Sequence, residues 1–286
     1  MIDGTGRRLL VAESETREQR AKRRADVGQS EGESFVSVVR DLAPGAAIDR
    51  IAPLDADEAV LSAEAIRDYD AVFVTGSPVH AYDDTPEVQR QIAFMRAVFA
   101  SGVPGFGSCA GLQLAVVAAG GRVRQMPERK EVGIARRLTA TEAGRGHPML
   151  AGRPPSWDAL TIHFDEVEAL PEGAVLLAGN GRSDVHAAEI RCGAGVFWGV
   201  QYHPELSPGE IGAALRRQAE SLVEEGLVTG VDIVADRAAL FERLQDDPDG
   251  REVRWLLGVD EEVALAENRR RELSNFLRCV AEDGFG

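Results

Sequence analysis

A cysteine at position 109 has the surroundings expected of a nucleophile. The stretch FGSCAGLQLA, residues 106–115, places Cys109 where a short apolar run turns helical, with Gly107 and Gly111 close on either side. A helix N-terminus stabilises a thiolate through its free N–H groups and its dipole. The N–H of Ala110 would point towards an oxyanion formed when sulfur attacks a carbonyl. Small residues also surround cysteines that merely pack at a helix start, so this stretch alone leaves both interpretations open.

A histidine and a glutamate near residue 200 supply the other groups that a nucleophilic cysteine needs. In GVQYHPELS, residues 199–207, a strand pattern delivers His203, and Glu205 follows two residues later. Positions i and i+2 of an extended chain project to the same side, so the carboxylate could orient the imidazole. A histidine that caps a turn beside a solvated glutamate is the alternative.

The stretch VFVTGSPVHAYDD, residues 72–84, contains a strand pattern that stops at Gly76-Ser77-Pro78. This turn would lie at the carboxyl edge of a parallel sheet, where open α/β sheets bind ligands. Its backbone amides could supply a second oxyanion donor, or it could be an ordinary turn.

Together the three stretches resemble the class I (triad-type) glutamine amidotransferases. GSCAGLQ is similar to the family's GxCxGxQ elbow, GVQYHPE to its GVQ[FY]HPE box, and TGSP to its oxyanion loop, in which Ser77 replaces a usual second glycine. The resemblance implies that Cys109 attacks the side-chain amide of glutamine to form a thioester. His203 would then shuttle protons and Glu205 would hold the imidazole.

The same resemblance implies further site residues. The oxyanion would be received by backbone N–H groups of Gly76, Ser77 and Ala110. Gln113 matches the family position that contacts glutamine, and TIHFDEVEALPEG, residues 161–173, resembles the family's His-x-Asp segment. That segment would bring His163 and Asp165 to the substrate.

Three functions remain open at this point. The first is a stand-alone glutaminase that passes ammonia to a separate synthetase, because nothing after residue 225 resembles a glycine-rich phosphate cradle. The second is a hydrolase of γ-glutamyl peptides or γ-glutamyl amines with the same three residues. The third is a catalytically silent regulatory protein on this scaffold.

Short apolar strands alternate with helices up to residue 121, which predicts an α/β fold with a mostly parallel central sheet flanked by helices. The resemblance implies a flavodoxin-like arrangement. Strand-like pieces after residue 121 predict a small antiparallel extension. We expect an amidotransferase domain over 1–225 and a helical C-terminal extension over 226–286, which packs on the domain or on a second copy to make a homodimer.

Composition limits the partners. A formal net charge of −15 argues against nucleic acid and against anionic membranes. The N-terminal stretch has no signal-peptide pattern, and three separated cysteines suit a reducing cytoplasm. Cys192 and Cys279 are expected to be packing or surface thiols. We predict no cofactor, and no metal site because no set of spaced ligands accompanies the Cys–His pair.

A basic run between the first strand and the first helix has no assigned function; its members are Arg17, Arg20, Lys22, Arg23 and Arg24. The default expectation is a mobile, solvated loop. The alternative is a lid or a docking patch for an acidic partner or a phosphorylated substrate.

Of the other histidines, His80 and His147 are expected in turns, and His186 is left unassigned.

Overall fold

A computed structural model describes residues 2–127 and 130–285. In its N-terminal part, strands alternate with helices. The strands are β1 Arg8–Ala12, β2 Ala47–Ile51, β3 Ala71–Val74 and β4 Gly105–Ser108. The helices are α1 Arg17–Val27, α2 Glu31–Leu42, α3 Ala63–Ile66, α4 Pro86–Ser101 and α5 Ala110–Ala118.

The middle part is mostly strand. It contains β5 Arg122–Gln125, β6 Glu131–Ala140, β7 Ser156–His163, β8 Asp165–Ala169, β9 Val175–Gly179, β10 Ala187–Cys192 and β11 Gly195–Val200. A short helix α6, Glu142–Gly146, and a 3-10 turn, Pro148–Leu150, lie between β6 and β7.

The remaining elements are helices. They are α7 Pro208–Arg217, α8 Ala219–Glu224, α9 Val231–Asp246, α10 Arg251–Leu257, α11 Glu261–Ala264, α12 Ala266–Arg269 and α13 Arg271–Ala281. Among the described helices, none combines the length and the apolar character that crossing a bilayer requires.

Within the described residues, one nine-stranded sheet has the order β2-β1-β3-β4-β11-β10-β9-β6-β7, and β5 pairs with β8 in a second, two-stranded sheet. The strands from β2 to β11 in that order run parallel, and β10, β9, β6 and β7 continue the sheet with antiparallel pairings. The predicted α/β fold, with its antiparallel extension and C-terminal helices, is confirmed.

The C-terminal helices pack onto the sheet. Helix α13 places Phe276 among the rings of Phe73 on β3, Phe106 on β4 and Trp198 on β11, with centroids 5.4–5.7 Å apart. Helix α9 packs along α7, and Phe241 of α9 is fully buried in that contact. The helices after residue 225 therefore share apolar clusters with the elements before it.

The prediction of a loop over the basic run was wrong, because residues 17–27 form helix α1. Thr16 begins the helix with a capping box to Gln19, and Gly28 ends it in the left-handed conformation, with φ +83°. Acidic partners from elsewhere in the chain neutralise its arginines; the pairs are Arg17–Asp57, Arg20–Asp55, Arg23–Glu31 and Arg24–Glu33.

Candidate active site

The sharp turn between β4 and α5 carries Cys109 in a strained conformation. Its φ of +50° and ψ of −108° are uncommon for a residue with a side chain, and such strain concentrates at functional sites. The backbone N–H of Cys109 donates to the carbonyl of Val200 at 2.7 Å. Ser108 and Val200 are paired in the parallel register of β4 and β11, so residues 109 and 203 leave the sheet at the same edge.

His203 is buried and oriented by Glu205. Its Nδ1 donates to Glu205 Oε1 at 2.7 Å, and its backbone N–H donates to the carbonyl of Leu160 at 2.9 Å. The other ring nitrogen, Nε2, has no hydrogen-bond partner among the described residues. Burial alone would lower the pKa of His203, but the charge of Glu205 and the nearby Cys109 thiol raise that pKa well above its ordinary value.

Ser108 also contacts Glu205, and the sequence did not indicate this contact. Its hydroxyl donates to Glu205 Oε1 at 2.7 Å, so this oxygen accepts two hydrogen bonds. The position of Ser108 directly before Cys109 was visible in the sequence. Its partner 97 residues away was not, because the contact depends on how β4 and β11 pair.

Gly76 lies against the side chains of both Cys109 and His203. A Cβ atom added at Gly76 would be 2.7 Å from His203 Cε1 and 3.7 Å from Cys109 Cβ. Ser77 accepts the backbone N–H of Val79 at 2.9 Å, which stabilises the turn after β3. Ala110 begins α5, so its backbone N–H has no partner within the helix. These are the groups that the sequence assigned to an oxyanion hole.

A cavity of about 300 Å³ opens at this edge of the sheet. Its lining includes seven of the predicted site residues: Gly76, Ser77, Cys109, Gln113, His163, Asp165 and His203. Cys109 is 6% exposed, and its sulfur lies 3.8 Å from the carbonyl oxygen of Ile162. Ala110 and Glu205 are buried next to lining residues. The structure therefore brings the predicted residues together around one cavity.

Gln113 and Asp165 form a connected wall at one end of the cavity. The side-chain amide of Gln113 donates to the backbone carbonyl of Asp165 and to Gln201 Oε1, each at 3.1 Å. The Asp165 carboxylate accepts from His80 Nδ1 at 2.6 Å and from the hydroxyl of Tyr82 at 3.1 Å. His80 lies in a turn as expected, yet it lines the cavity, which the sequence did not indicate.

Glu131 supports the same wall from behind. It accepts His163 Nε2 at 3.0 Å and lies 2.9 Å from Nε2 of the fully buried His186. Burial alone would raise the pKa of Glu131, but the two histidines lower it far below its ordinary value.

Two groups of side chains are close enough to be considered as metal ligands. The candidate ligand atoms of Glu131, His163 and His186 lie within 4.8 Å of one another, as do those of Glu31, His203 and Glu205. The expected absence of a metal stays a prediction.

Helices α1, α2 and α7 supply a second part of the cavity lining. Arg23 of the basic run lies there, 2.9 Å from Glu31 and 2.8 Å from Glu210. Burial raises the pKa of Glu31 to about 8, and the positive charge of Arg23 opposes that rise. Glu15 lines this part of the cavity too, and burial raises its pKa. Neither acid was indicated by the sequence, because their position beside the site depends on the folding of α1 and α2.

Two comparisons of the sequence bear on this site. The model of the family "Glutamine amidotransferase class-I" matches residues 26–219. A gamma-glutamyl-L-1-hydroxyisopropylamide hydrolase of Pseudomonas sp. is 41% identical over 77% of this chain and 74% of its own length. A glutamine-hydrolyzing GMP synthase of Thermomicrobium roseum is 31% identical over 54% of this chain, which covers only 29% of that protein.

Solved structures agree on the fold. A glutamine amidotransferase from Thermotoga maritima superimposes with a TM-score of 0.63 over 96% of this chain and 98% of that one, at 15% identity. A glutamine amido transferase from Methylobacillus flagellatus gives a TM-score of 0.55 over 98% and 95% of the two chains, at 20% identity.

Proposed function

Because the chain belongs to the class-I glutamine amidotransferase family, we propose that it is a hydrolase of γ-glutamyl amides that uses Cys109 as its nucleophile. The observation that carries this proposal is the match to the Pseudomonas hydrolase, which extends over about three quarters of both chains. The match to the GMP synthase covers less than a third of that protein.

The first half of the reaction forms a thioester. His203 takes the thiol proton on Nε2, and the Cys109 sulfur attacks the γ-carbonyl carbon of the substrate. The carbonyl oxygen becomes an oxyanion, which accepts hydrogen bonds from the N–H groups of Ala110 and of the turn at Gly76 and Ser77. As the intermediate collapses, the C–N bond breaks and His203 returns the proton to the departing amine.

The second half hydrolyses the thioester. His203 takes a proton from water, the resulting hydroxide attacks the carbonyl carbon, and the C–S bond breaks. The proton returns to the sulfur and glutamate leaves. Glu205 accepts from Nδ1 throughout, so it keeps Nε2 pointed at the reacting atoms and stabilises the imidazolium. Gln113, His163 and Asp165 are proposed to hold the glutamyl group.

The test is a comparison of substrates and of cysteine variants. We expect the purified protein to release glutamate from γ-glutamyl alkylamides with a higher kcat/KM than from glutamine. Cys109→Ala should abolish release, and Cys279→Ala, a half-buried thiol on α13, should leave it unchanged. A glutamine-like electrophile should label Cys109, so that the protein gains the mass of one bound electrophile.

A second candidate is a glutaminase that supplies ammonia to a separate synthetase, which the match to the GMP synthase favours. A kcat/KM for glutamine above that for every γ-glutamyl alkylamide would select this candidate. If no amide is hydrolysed and Cys109 stays unlabelled, both enzymatic proposals are wrong and the regulatory scaffold remains.

A further inference from the structure

Two parts of the cavity lining, called its two ends below, differ in chemistry. Gln113 and the 162–165 segment line one end. The other end is built by α1, the start of α2 and the last turn of α7. It presents polar and charged side chains from residues Glu15, Gln19, Lys22, Arg23, Glu31, Arg217 and Gln218. The proposed function assigns the first end to the glutamyl group and leaves the second without a role.

The second end is the place for the leaving amine, an inference that rests on the proposed function. His203 must protonate the departing nitrogen, so the substituent on that nitrogen lies on the His203 side of the cavity. Leu206 and Ala214, which follow His203 along the chain, also line the cavity. A carboxylate oxygen of Glu31, at the second end, lies within 4.8 Å of a ring nitrogen of His203.

The charges at this end favour an anion. Three cations, Lys22, Arg23 and Arg217, line this end against two acids, Glu15 and Glu31. Arg23 lies within 2.9 Å of Glu31 and of Glu210. Burial raises the pKa of both lining acids, to about 8 for Glu31, so the negative charge at this end is weakened.

Arg217 is positioned to receive the anion. Its nearest acid is Asp26, whose carboxylate lies 3.7 Å from Nε. Its Nη1 is buried and has no hydrogen-bond partner among the described residues. An unpaired buried guanidinium N–H is costly, and a carboxylate is the group that its fork of donors fits. Lys22 is exposed and can add a second positive charge at the mouth.

We propose that Lys22 and Arg217 form a subsite for a carboxylate on the leaving amine, so that the preferred substrates are γ-glutamyl derivatives of amino acids. Arg217 binds the carboxylate through paired N–H donors, and Lys22 strengthens the positive potential. Helix α1, the basic run of the sequence, is thereby a fixed wall of the substrate site.

The experiment compares two substrates that differ only in charge, γ-glutamylglycine and γ-glutamylglycinamide. We expect the wild-type kcat/KM to favour the carboxylate by about tenfold or more, the scale of one charge-assisted pair. Arg217→Gln should remove most of that ratio, and Arg217→Lys should retain part of it. The matched control is Arg216→Gln, since Arg216 is exposed and pairs with Glu242 at 2.8 Å, away from the cavity. It should leave the ratio unchanged.

Calorimetric titration of Cys109→Ala with both compounds repeats the comparison without turnover. Equal affinities for the two compounds, or an unchanged ratio in a folded Arg217→Gln variant, would overturn the subsite. So would a kcat/KM for a hydroxyl-bearing amide that exceeds the value for γ-glutamylglycine. If binding favours γ-glutamylglycine but no compound is hydrolysed, the subsite stands and the proposed hydrolysis is what fails.

Discussion

The hydroxyl of Ser108 and the imidazole of His203 share one acceptor, Glu205 Oε1, each at 2.7 Å. Ser108 precedes Cys109 in the chain, so the strand that leads to the sulfur also holds the carboxylate that orients the imidazole. The relative positions of sulfur and imidazole are therefore set by the pairing of β4 with β11 and by this shared contact.

Ser108→Ala should lower kcat about tenfold, because Glu205 loses one of the two donors that fix it and the imidazole becomes less well oriented. KM should change little, since Ser108 does not line the cavity. Steady-state kinetics with a γ-glutamyl amide measures both values. The matched control is Ser183→Ala, a buried serine whose hydroxyl has no partner among the described residues. Equal kcat in the two variants would show that the Ser108 contact does not matter.

Gly76→Ala should lower kcat by about a hundredfold or more with a small loss of stability. The new methyl group would meet His203 Cε1 at 2.7 Å, which forces the ring away from Cys109. Kinetics and thermal unfolding together separate the two effects. Gly181→Ala is the control, because a Cβ there meets nothing within 4 Å. Retention of full activity in Gly76→Ala would contradict the role of this close contact.

Glu189→Gln should destabilise the protein by about 2 kcal/mol at pH 7. Burial alone would raise the pKa of Glu189, but hydrogen bonds from His147, Arg191 and Trp198 lower it to about 2. The stabilisation from ionised Glu189 is therefore complete above about pH 4.5, the ordinary pKa of a glutamate. It is lost as the pH falls towards 2. Urea unfolding of both proteins at pH 7, 5 and 3 should show the difference shrinking with acid. The exposed Glu224→Gln variant should show no such trend.

Phe276→Ala should cost about 3–5 kcal/mol, because its fully buried ring contacts three core aromatic residues. Trp255→Ala removes an even larger side chain, but one that is 79% exposed, and it should change stability by less than about 0.5 kcal/mol. Denaturant unfolding followed by circular dichroism gives both values. A wild-type transition in two separate steps would instead support independent folding of residues 226–286.

Much of the candidate site was predictable, because its residues come from short local signals at strand ends. Cys109 lies at a strand-to-helix junction with small neighbours, and His203 and Glu205 lie two residues apart after a strand. Each signal is visible within about ten letters. Their meeting around one cavity depends on the parallel register of β4 and β11, which no local pattern contains.

Helix α1 could not be predicted from the same evidence. It has no apolar stripe, so periodicity favours a loop. Its arginines are neutralised by acids as far as 187 residues away in the chain, as with Arg23 and Glu210. Glu15 and Glu31 were missed for the same reason, since only the folded α1 and α2 bring them to the cavity. The packing of Phe276 against β3 could not be predicted either, because it depends on how distant elements of the chain pack.

The groups assigned to bond cleavage and the groups that face the amine come from different kinds of element. Cys109 and His203 follow hydrogen-bonded strands in the middle of the sheet, whereas Lys22 and Arg217 project from helices on its outside. Under the proposed function, substitutions on α1 or α7 would therefore change which amines are accepted and leave the positions of Cys109 and His203 intact. Selectivity and reactivity could then be altered separately by mutation.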